Sequence, residues 1–289
     1  FWRHVQNGGG DLVVTAGDGV TRVPLEVVSC DTAAYTGQIW FKGDLIGTVD
    51  SGFYLYYGDG AATQPARSDA YGSDNVWDAN FKGVWHLDQE QSATGTADLY
   101  TDSTANGSHG DDMVSATGQE GTIAAGQQFD GTDDYVGMGD VLDYGQNDPM
   151  TYSAWIKTSG TAMQIAGKAV GSGSYQGVWF YIHADAYLSF YLYDSSGNRM
   201  MKKSTATFND NQWHHVVATY DGSDDVTGIN LYANGSQLSI SDSANETLGT
   251  VTNSYPFNIG ALNDGADGYR FNGYIDEVRI WTTARSQTE

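Results

Sequence analysis

The sequence predicts an all-β protein, an antiparallel β-sandwich preceded by a smaller β module. Three observations carry that reading. The composition favours strands and tight turns, with 37 Gly, 19 Tyr and 8 Trp against only 4 Pro. Short runs that alternate apolar and polar residues recur along the chain, and no stretch shows helical periodicity. Turn signals rich in Gly, Asp and Asn separate those runs at the spacing of a two-sheet sandwich. At 289 residues the chain holds one large β domain or two smaller ones, and it buries a sizeable core without disulfides. Its one cysteine, Cys30, rules out an internal disulfide.

Residues 1–64 read as the smaller module. The run 11–15 alternates and enters a Gly17-Asp18-Gly19 turn, a hairpin signal. Three more strands are expected at 21–28, 37–42 and 52–57, the last ended by Gly58-Asp59-Gly60. Residues 65–82 read as a linker that becomes structured. Pro65 opens it, 69–78 is polar, and Tyr71 and Trp77 are its anchors. Residues 83–289 form the sandwich, with strands expected at 83–87, 127–136 (broken by a turn), 150–157, 178–183, 187–193, 212–220, 228–234 and 255–260. The closing stretch 271–281 reads as one strand. Strict alternation puts Tyr274, Asp276, Val278 and Ile280 on one side, and Ile275, Glu277, Arg279 and Trp281 on the other. Asp276 then stands in line with apolar residues, where a carboxylate needs a cation or several donors.

Charge narrows the partners. Lys and Arg number 13 against 36 Asp and Glu, a formal net charge of -23. Most of the acids are Asp, a residue of turns and of hard-cation sites. Such a field repels nucleic acid and anionic membranes. No run is long and apolar enough for a transmembrane helix, so membrane insertion is not expected. No signal peptide is visible. A start at Phe1 and an end in Arg285-Ser-Gln-Thr-Glu289 suit a segment or processed form of something longer.

Several groups are candidates for chemistry. Calcium takes six to eight oxygens from carboxylates, amides and carbonyls. Asp102 and Asn106 lie in one loop of short oxygen-bearing side chains, Asp130, Asp133 and Asp134 in another, and Asp276 is the inward carboxylate of the last strand. All six are candidate ligands of a structural calcium ion; the alternative is that they cap turns. For a saccharide, the aliphatic and Phe sides of 178–183 and 187–193 read as core. Trp179, Tyr181, Tyr191 and Tyr193 lie on the opposite sides, suited to stacking on sugar rings, and glycan binding there predicts that Trp179 and Tyr191 are exposed and flank a groove. The loop tip with Asn263, Asp264 and Asp267 is a further ligand candidate. His214 and His215 are adjacent on a strand, point to opposite faces and cannot chelate one metal. A glycosidase needs two carboxyls flanking the bond. Glutamate occurs only at 26, 90, 120, 246, 277 and 289, no two on one strand face, which disfavours hydrolysis.

The strings "GVWHL", "DSTANGSHGD", "FDGTDDYVGMG", "MTYSAWIKT", "WHHVVATYDG", "INLYANG", "FNIG" and "FNGYIDEVRIW" follow in an order that resembles laminin G-like domains, the concanavalin A-like or pentraxin-like jelly rolls. The resemblance spans almost all of 83–281. It implies that the first and last strands lie together, so that Asp102 and Asp276 share one cation. The phrases "GGGDLVVTAGDGVTRVPLEVV", "TGQIWFK" and "FYLYYGDGAA" resemble an uncharacterised β domain that precedes laminin G-like domains in bacterial surface and phage structural proteins. Concanavalin A-like glucanases usually carry Glu-x-Asp-x-x-Glu on one strand, and this sequence has no such string.

The expected function is non-catalytic recognition at a cell surface or virion exterior. The partner would be a glycan or cell-surface polysaccharide, with calcium holding the fold. The alternative is a structural subunit of a fibre, decoration or filament that binds copies of itself or other virion or surface proteins. A glycoside hydrolase or lyase stands third.

Overall fold

The computed structural model describes every residue except Ile46, Val49, 90–94 and 288–289. Glu90 and Glu289, two of the six glutamates, therefore lie outside the described residues. The chain divides into two compact units, Phe1–Ala79 with Ser103–Gly107, and Asn80–Asp102 with Ser108–Glu289.

The first unit contains β1 (Val13–Ala16), β2 (Leu25–Asp31), β3 (Thr36–Phe41) and β4 (Phe53–Tyr56). β1 pairs with β4 and β2 with β3, both antiparallel. A small core of Val5, Leu12, Val14, Leu25 and Cys30 sits between them. Of the expected linker 65–82, residues 65–79 belong to this unit and 80–82 to the second. Trp77 is buried, its Nε1–H donates to Glu26 Oε2 at 2.7 Å, and its ring lies 5.6 Å from that of Trp40. An indole that buries its area and also pairs its N–H holds the segment down.

The second unit is a sandwich of two antiparallel sheets. Its strands are β5 (Phe81–Trp85), β6 (Asp111–Met113), β7 (Gln127–Asp130), β8 (Tyr135–Gly137), β9 (Met150–Thr158), β10 (Met163–Ala169), β11 (Gly177–Ile182), β12 (Tyr187–Tyr193), β13 (Arg199–Thr207), β14 (Trp213–Tyr220), β15 (Ile229–Ala233), β16 (Ser236–Gln237), β17 (Ile240–Asn245), β18 (Phe257–Ile259) and β19 (Asn272–Trp281). One sheet runs β17-β13-β12-β11-β10-β18-β8-β6. The other runs β16-β15-β14-β9-β19-β5, with β7 also on β19. The core lies between them. Tyr152 of β9 packs on Phe180 and Phe190 of the facing sheet, with ring centroids 6.1 and 5.6 Å apart. The sides of β11 and β12 read as core, Val178, Phe180, Ile182, Leu188, Phe190 and Leu192, do form it.

β19 departs from strict alternation, and the departure has a local cause. Its first half pairs with β7 and its second half with β5, on the same flank, while β9 runs along the other. Where the partner changes, the strand bulges. Register slips between Asp276 and Arg279, and Glu277 takes a left-handed φ of 51°. The bulge re-phases the side chains, so that Ile275, Val278 and Ile280 all enter the core. Asp276 is thus not in line with Val278 and Ile280. It faces the outer side, in register with Trp155 of β9.

Candidate functional site

The outward face of the eight-stranded sheet carries the aromatic row. Register aligns Trp179, Tyr191, Met201 and Ala244 across β11, β12, β13 and β17. Tyr191 and Tyr193 stack at 5.5 Å, and Tyr181 packs on both Trp179 and Tyr191. The expected exposure does not hold. Trp179 is 3 % exposed, Tyr191 4 % and Tyr181 8 %. The reason is the chain between β18 and β19, which folds back over this face. It inserts the buried Leu262 and sets Tyr269 edge-on to Trp179 at 5.1 Å. Burial pushes the Tyr191 hydroxyl up to about 12 and that of Tyr181 further. Tyr193 remains partly exposed beside the surface residue Tyr175.

The acidic candidates are mostly engaged with backbone. Asp102 lies in the second unit, accepting from Val84 N and Ser108 N, at 3.1 and 2.9 Å. Asn106 lies in the first unit, where its Nδ2 donates to Thr104 Oγ1. Asp134 accepts from Ser115 N and Asp130 N, and Asp130 accepts from Thr132 N. Asp130, Asp133 and Asp134 each still bring one ligand oxygen within 4.8 Å of the others, and no other such group of three occurs among the described residues. Three hard oxygen donors so placed fit calcium chemistry. At the loop tip, Asp267 accepts from Gly171 N and Asn263 Nδ2, and Asp264 from Asn258 Nδ2. These bonds tie down the covering loop.

Asp276 is fully buried. Its Oδ2 accepts from Thr122 N at 2.7 Å and Ile123 N at 2.9 Å, while Oδ1 has no partner among the described residues. Burial outweighs the two amides and raises its pKa from 3.8 to about 7. The neighbouring Glu277 is buried too. Its burial is outweighed by His86 Nδ1 at 2.8 Å and Arg279 Nη2 at 2.8 Å, which hold it below the usual glutamate range.

The outward face of the seven-stranded sheet is the more open one, and no residue of it was read from sequence as a saccharide contact. Antiparallel register aligns Tyr232, Val217, Ser153 and Arg279 in one row, and Thr219, Thr151 and Trp281 in the next. The loop at 119–123 covers one end of this face. There Lys157 Nζ donates to Glu120 at 2.6 Å, and Thr122 and Ile123 cap Asp276. Gly126 permits the close approach, because a Cβ there would lie 2.9 Å from Ile275 O and Asp276 Cβ. The segment after β19 crosses the other end. Thr151 Oγ1 donates to Thr283 O, Arg285 N donates to Thr151 Oγ1, and Gln287 Nε2 donates to Gly235 O. Between the two lies a groove of about 470 Å³, lined by aromatic Phe81, Tyr232 and Trp281, by hydroxyls, and by His215, Arg279 and Arg285. Burial, aided by the charge of Arg279, lowers the His215 pKa, which keeps its imidazole neutral at pH 7. The signal was present in the sequence: once the core sides of 150–157 and 212–220 are fixed, their other sides must form this floor.

Two antiparallel sheets packed face to face, with the opening strand β5 beside the closing strand β19, define a jelly-roll sandwich. Residues 130–289 match the concanavalin A-like lectin/glucanases superfamily, and the chain belongs to it. Two solved structures resemble it at low identity. One is the binding domain of Paraclostridial Mosquitocidal Protein 1, at TM-score 0.52 and 18% identity over 72% of this chain and 50% of that one. The other is domain 4 of AbnA, a GH43 extracellular arabinanase from Geobacillus stearothermophilus, in complex with arabinotriose, at TM-score 0.53 and 17% identity over 73% and 97%. No protein of curated function matches the sequence. No helix among the described residues is long and apolar enough to cross a membrane.

Proposed function

We propose that the second unit is a non-catalytic carbohydrate-binding module acting outside the cell, and that its ligand lies in the groove on the seven-stranded sheet. The groove itself carries this reading. It combines aromatic faces with hydroxyl, imidazole and guanidinium donors, the mixture that holds a sugar ring by stacking and hydrogen bonds. Among the described residues its lining includes no Asp or Glu, whereas glycoside hydrolysis needs two carboxyls. A domain of the same fold with arabinotriose bound supports the reading. The test is a glycan array probed with the parent and with Tyr232→Ala, whose side chain stands on the outer face. Hits that weaken about ten-fold or more in the variant are expected, the loss of one stacking partner. No hits, or hits the variant leaves alone, would overturn it.

A second reading, self-assembly, rests on a different surface. Of the 13 large hydrophobic residues exposed among the described ones, ten belong to the first unit, Tyr54 to Tyr57 of β4 and its end among them. A defined oligomer in solution with no glycan hits would favour it.

We also propose a stabilising calcium ion, held by Asp130, Asp133 and Asp134. Its support is the mutual closeness of three carboxylates, offset by no cation within the group. Chelator is expected to lower the melting temperature, and Asp133→Asn to abolish that response. A melt that chelator leaves unchanged would remove the ion from the account.

A further inference from the structure

We infer that the first unit pairs with a second copy of this chain through the free edge of β4, strand against antiparallel strand across a two-fold axis, with Leu55 opposite the partner's Leu55. The inference goes beyond the carbohydrate reading, which concerns the second unit, and gives the exposed surface of β4 a register. Its starting point is the backbone. Val14 O accepts from Val23 N, and Ala16 N donates to Thr21 O, so both residues turn their main-chain groups away from β4. In an antiparallel pair, residues opposite one another either exchange both bonds or turn both away. Val14 is opposite Leu55, and Ala16 is opposite Phe53. Leu55 and Phe53 therefore point N–H and C=O out of the sheet edge, and strand alternation sends those of Tyr57 the same way. Gly58 N donates to Asp11 Oδ2, back toward the chain that leads into β1, as that alternation requires. None of the outward groups has a main-chain partner among the described residues.

The side chains on this edge are apolar or aromatic, and neutral. Residues 51–58 carry no charge in a chain of net charge -23. Tyr54, Leu55, Tyr56 and Tyr57 are all exposed, Leu55 by 39 % although its cross-strand neighbour Val14 lies in the core of the unit. Leu55 thus stands on the core side of a ribbon with no strand beyond it. Open edges invite a further strand, and proteins ordinarily guard them with charge, brevity or a bulge. The edges of the two sandwich sheets are guarded: β6 carries Asp111 and Asp112, β17 carries Asp242, β5 carries Lys82, and β16 is two residues long. The β1–β4 ladder has no register shift, and β4 has no charge. A second copy is the occupant these features fit. A two-fold interface puts the same patch on both sides, and an antiparallel edge is its own complement. Pairing Leu55 with the partner's Leu55 sets Phe53 against the partner's Tyr57 and Tyr54 against the partner's Tyr56, favourable aromatic pairs. Asp59 falls opposite the partner's Ser51, so the flanking acids do not meet. Two chains of charge -23 repel, and a neutral edge is where they meet with least repulsion. A basic partner would find no charge on this edge to engage. The joined ribbon has four strands, β1 and β4 from each copy, where a lone pair of strands is marginal in water.

The test is sedimentation equilibrium of the whole chain over a dilution series, at low and at high salt. A monomer–dimer equilibrium is expected, and added salt should tighten it by screening the repulsion. Leu55→Lys sets two like charges face to face and should weaken the dimer at least about ten-fold. Val20→Lys makes the same change of charge in the exposed turn after β1 and should leave the dimer within about three-fold of the parent. Leu55→Cys tests the register without depending on the fold of the lysine variant. Mild oxidation should lock it as a disulfide-linked dimer, because opposed residues of such a pair lie about 5.5 Å apart at Cα, within disulfide reach. Tyr35→Cys, exposed elsewhere on the unit, should not lock. A monomer at every concentration overturns the inference. So does a dimer that a folded Leu55→Lys leaves intact, or one that Leu55→Cys fails to lock. Saccharide binding by a protein that stays monomeric keeps the carbohydrate reading and removes this one. A locked dimer with no glycan hits does the reverse.

Discussion

At Asp276 a carboxyl group is buried with two amides on one oxygen and no partner among the described residues on the other. Its folded pKa of about 7 lies above the unfolded value near 3.8. The folded state then holds a proton that the unfolded chain has released between those two pH values. Stability contributed by the protonated form is full below about 3.8, falls as pH rises across the window, and is gone above about 7, on the order of 4 kcal/mol in all. Asp276→Asn mimics the protonated group and keeps an acceptor for Thr122 and Ile123. Thermal melts should show the variant level with the parent near pH 4 and more stable at pH 8. A variant that is less stable at pH 8 would mean that the charged carboxylate is itself engaged, by a cation or another donor. The sequence disclosed that this aspartate is buried, because it sits between apolar neighbours in a closing strand. It did not disclose which way the side chain points. The bulge at Glu277 arises where β7 gives way to β5 along one flank, a junction made by residues roughly 140 to 200 positions earlier in the chain.

The element that most changed the expected site is the segment between β18 and β19. Sequence alternation correctly sorted β11 and β12 into core and non-core sides, but non-core proved not to mean exposed. Asp267 and Asp264, candidate ligand contacts as read from sequence, instead bond Gly171, Asn263 and Asn258 and hold the segment down. Leu262 anchors it against Trp179 and Tyr191. Leu262→Ala is expected to cost about 2–5 kcal/mol, as large-to-small changes at buried sites do. It should also shift Trp fluorescence to the red as water reaches Trp179. Loss of stability without a spectral shift would show that the segment stays closed without its anchor. Strands that the sequence hid share a physical reason. β10, Met163–Ala169, is buried at every position, so it offers no alternation to read. β17, Ile240–Asn245, is polar and mostly exposed at the sheet edge, so it lacks an apolar side.

Across the whole molecule, fold class was the most legible property, because many short strands, scarce proline and abundant turn residues all point one way. The boundary between units was less so. Residues 65–82 read as a linker that becomes structured, while 65–79 belong to the first unit, held there by Trp77 on Glu26 and by Tyr71 O, which accepts from Leu25 N. The binding face was least legible, since a groove made of outward residues from β9, β14, β15 and β19 exists only once register brings them side by side. The central claim is that the ligand sits on that face. Hydrogen exchange with and without a saturating array hit tests it most directly. We predict slowed exchange in residues 283–287, where the Arg285 amide bonds the Thr151 hydroxyl, with little change in 261–270. Protection confined to 261–270, with 283–287 unchanged, would place the ligand on the aromatic sheet instead and contradict the account.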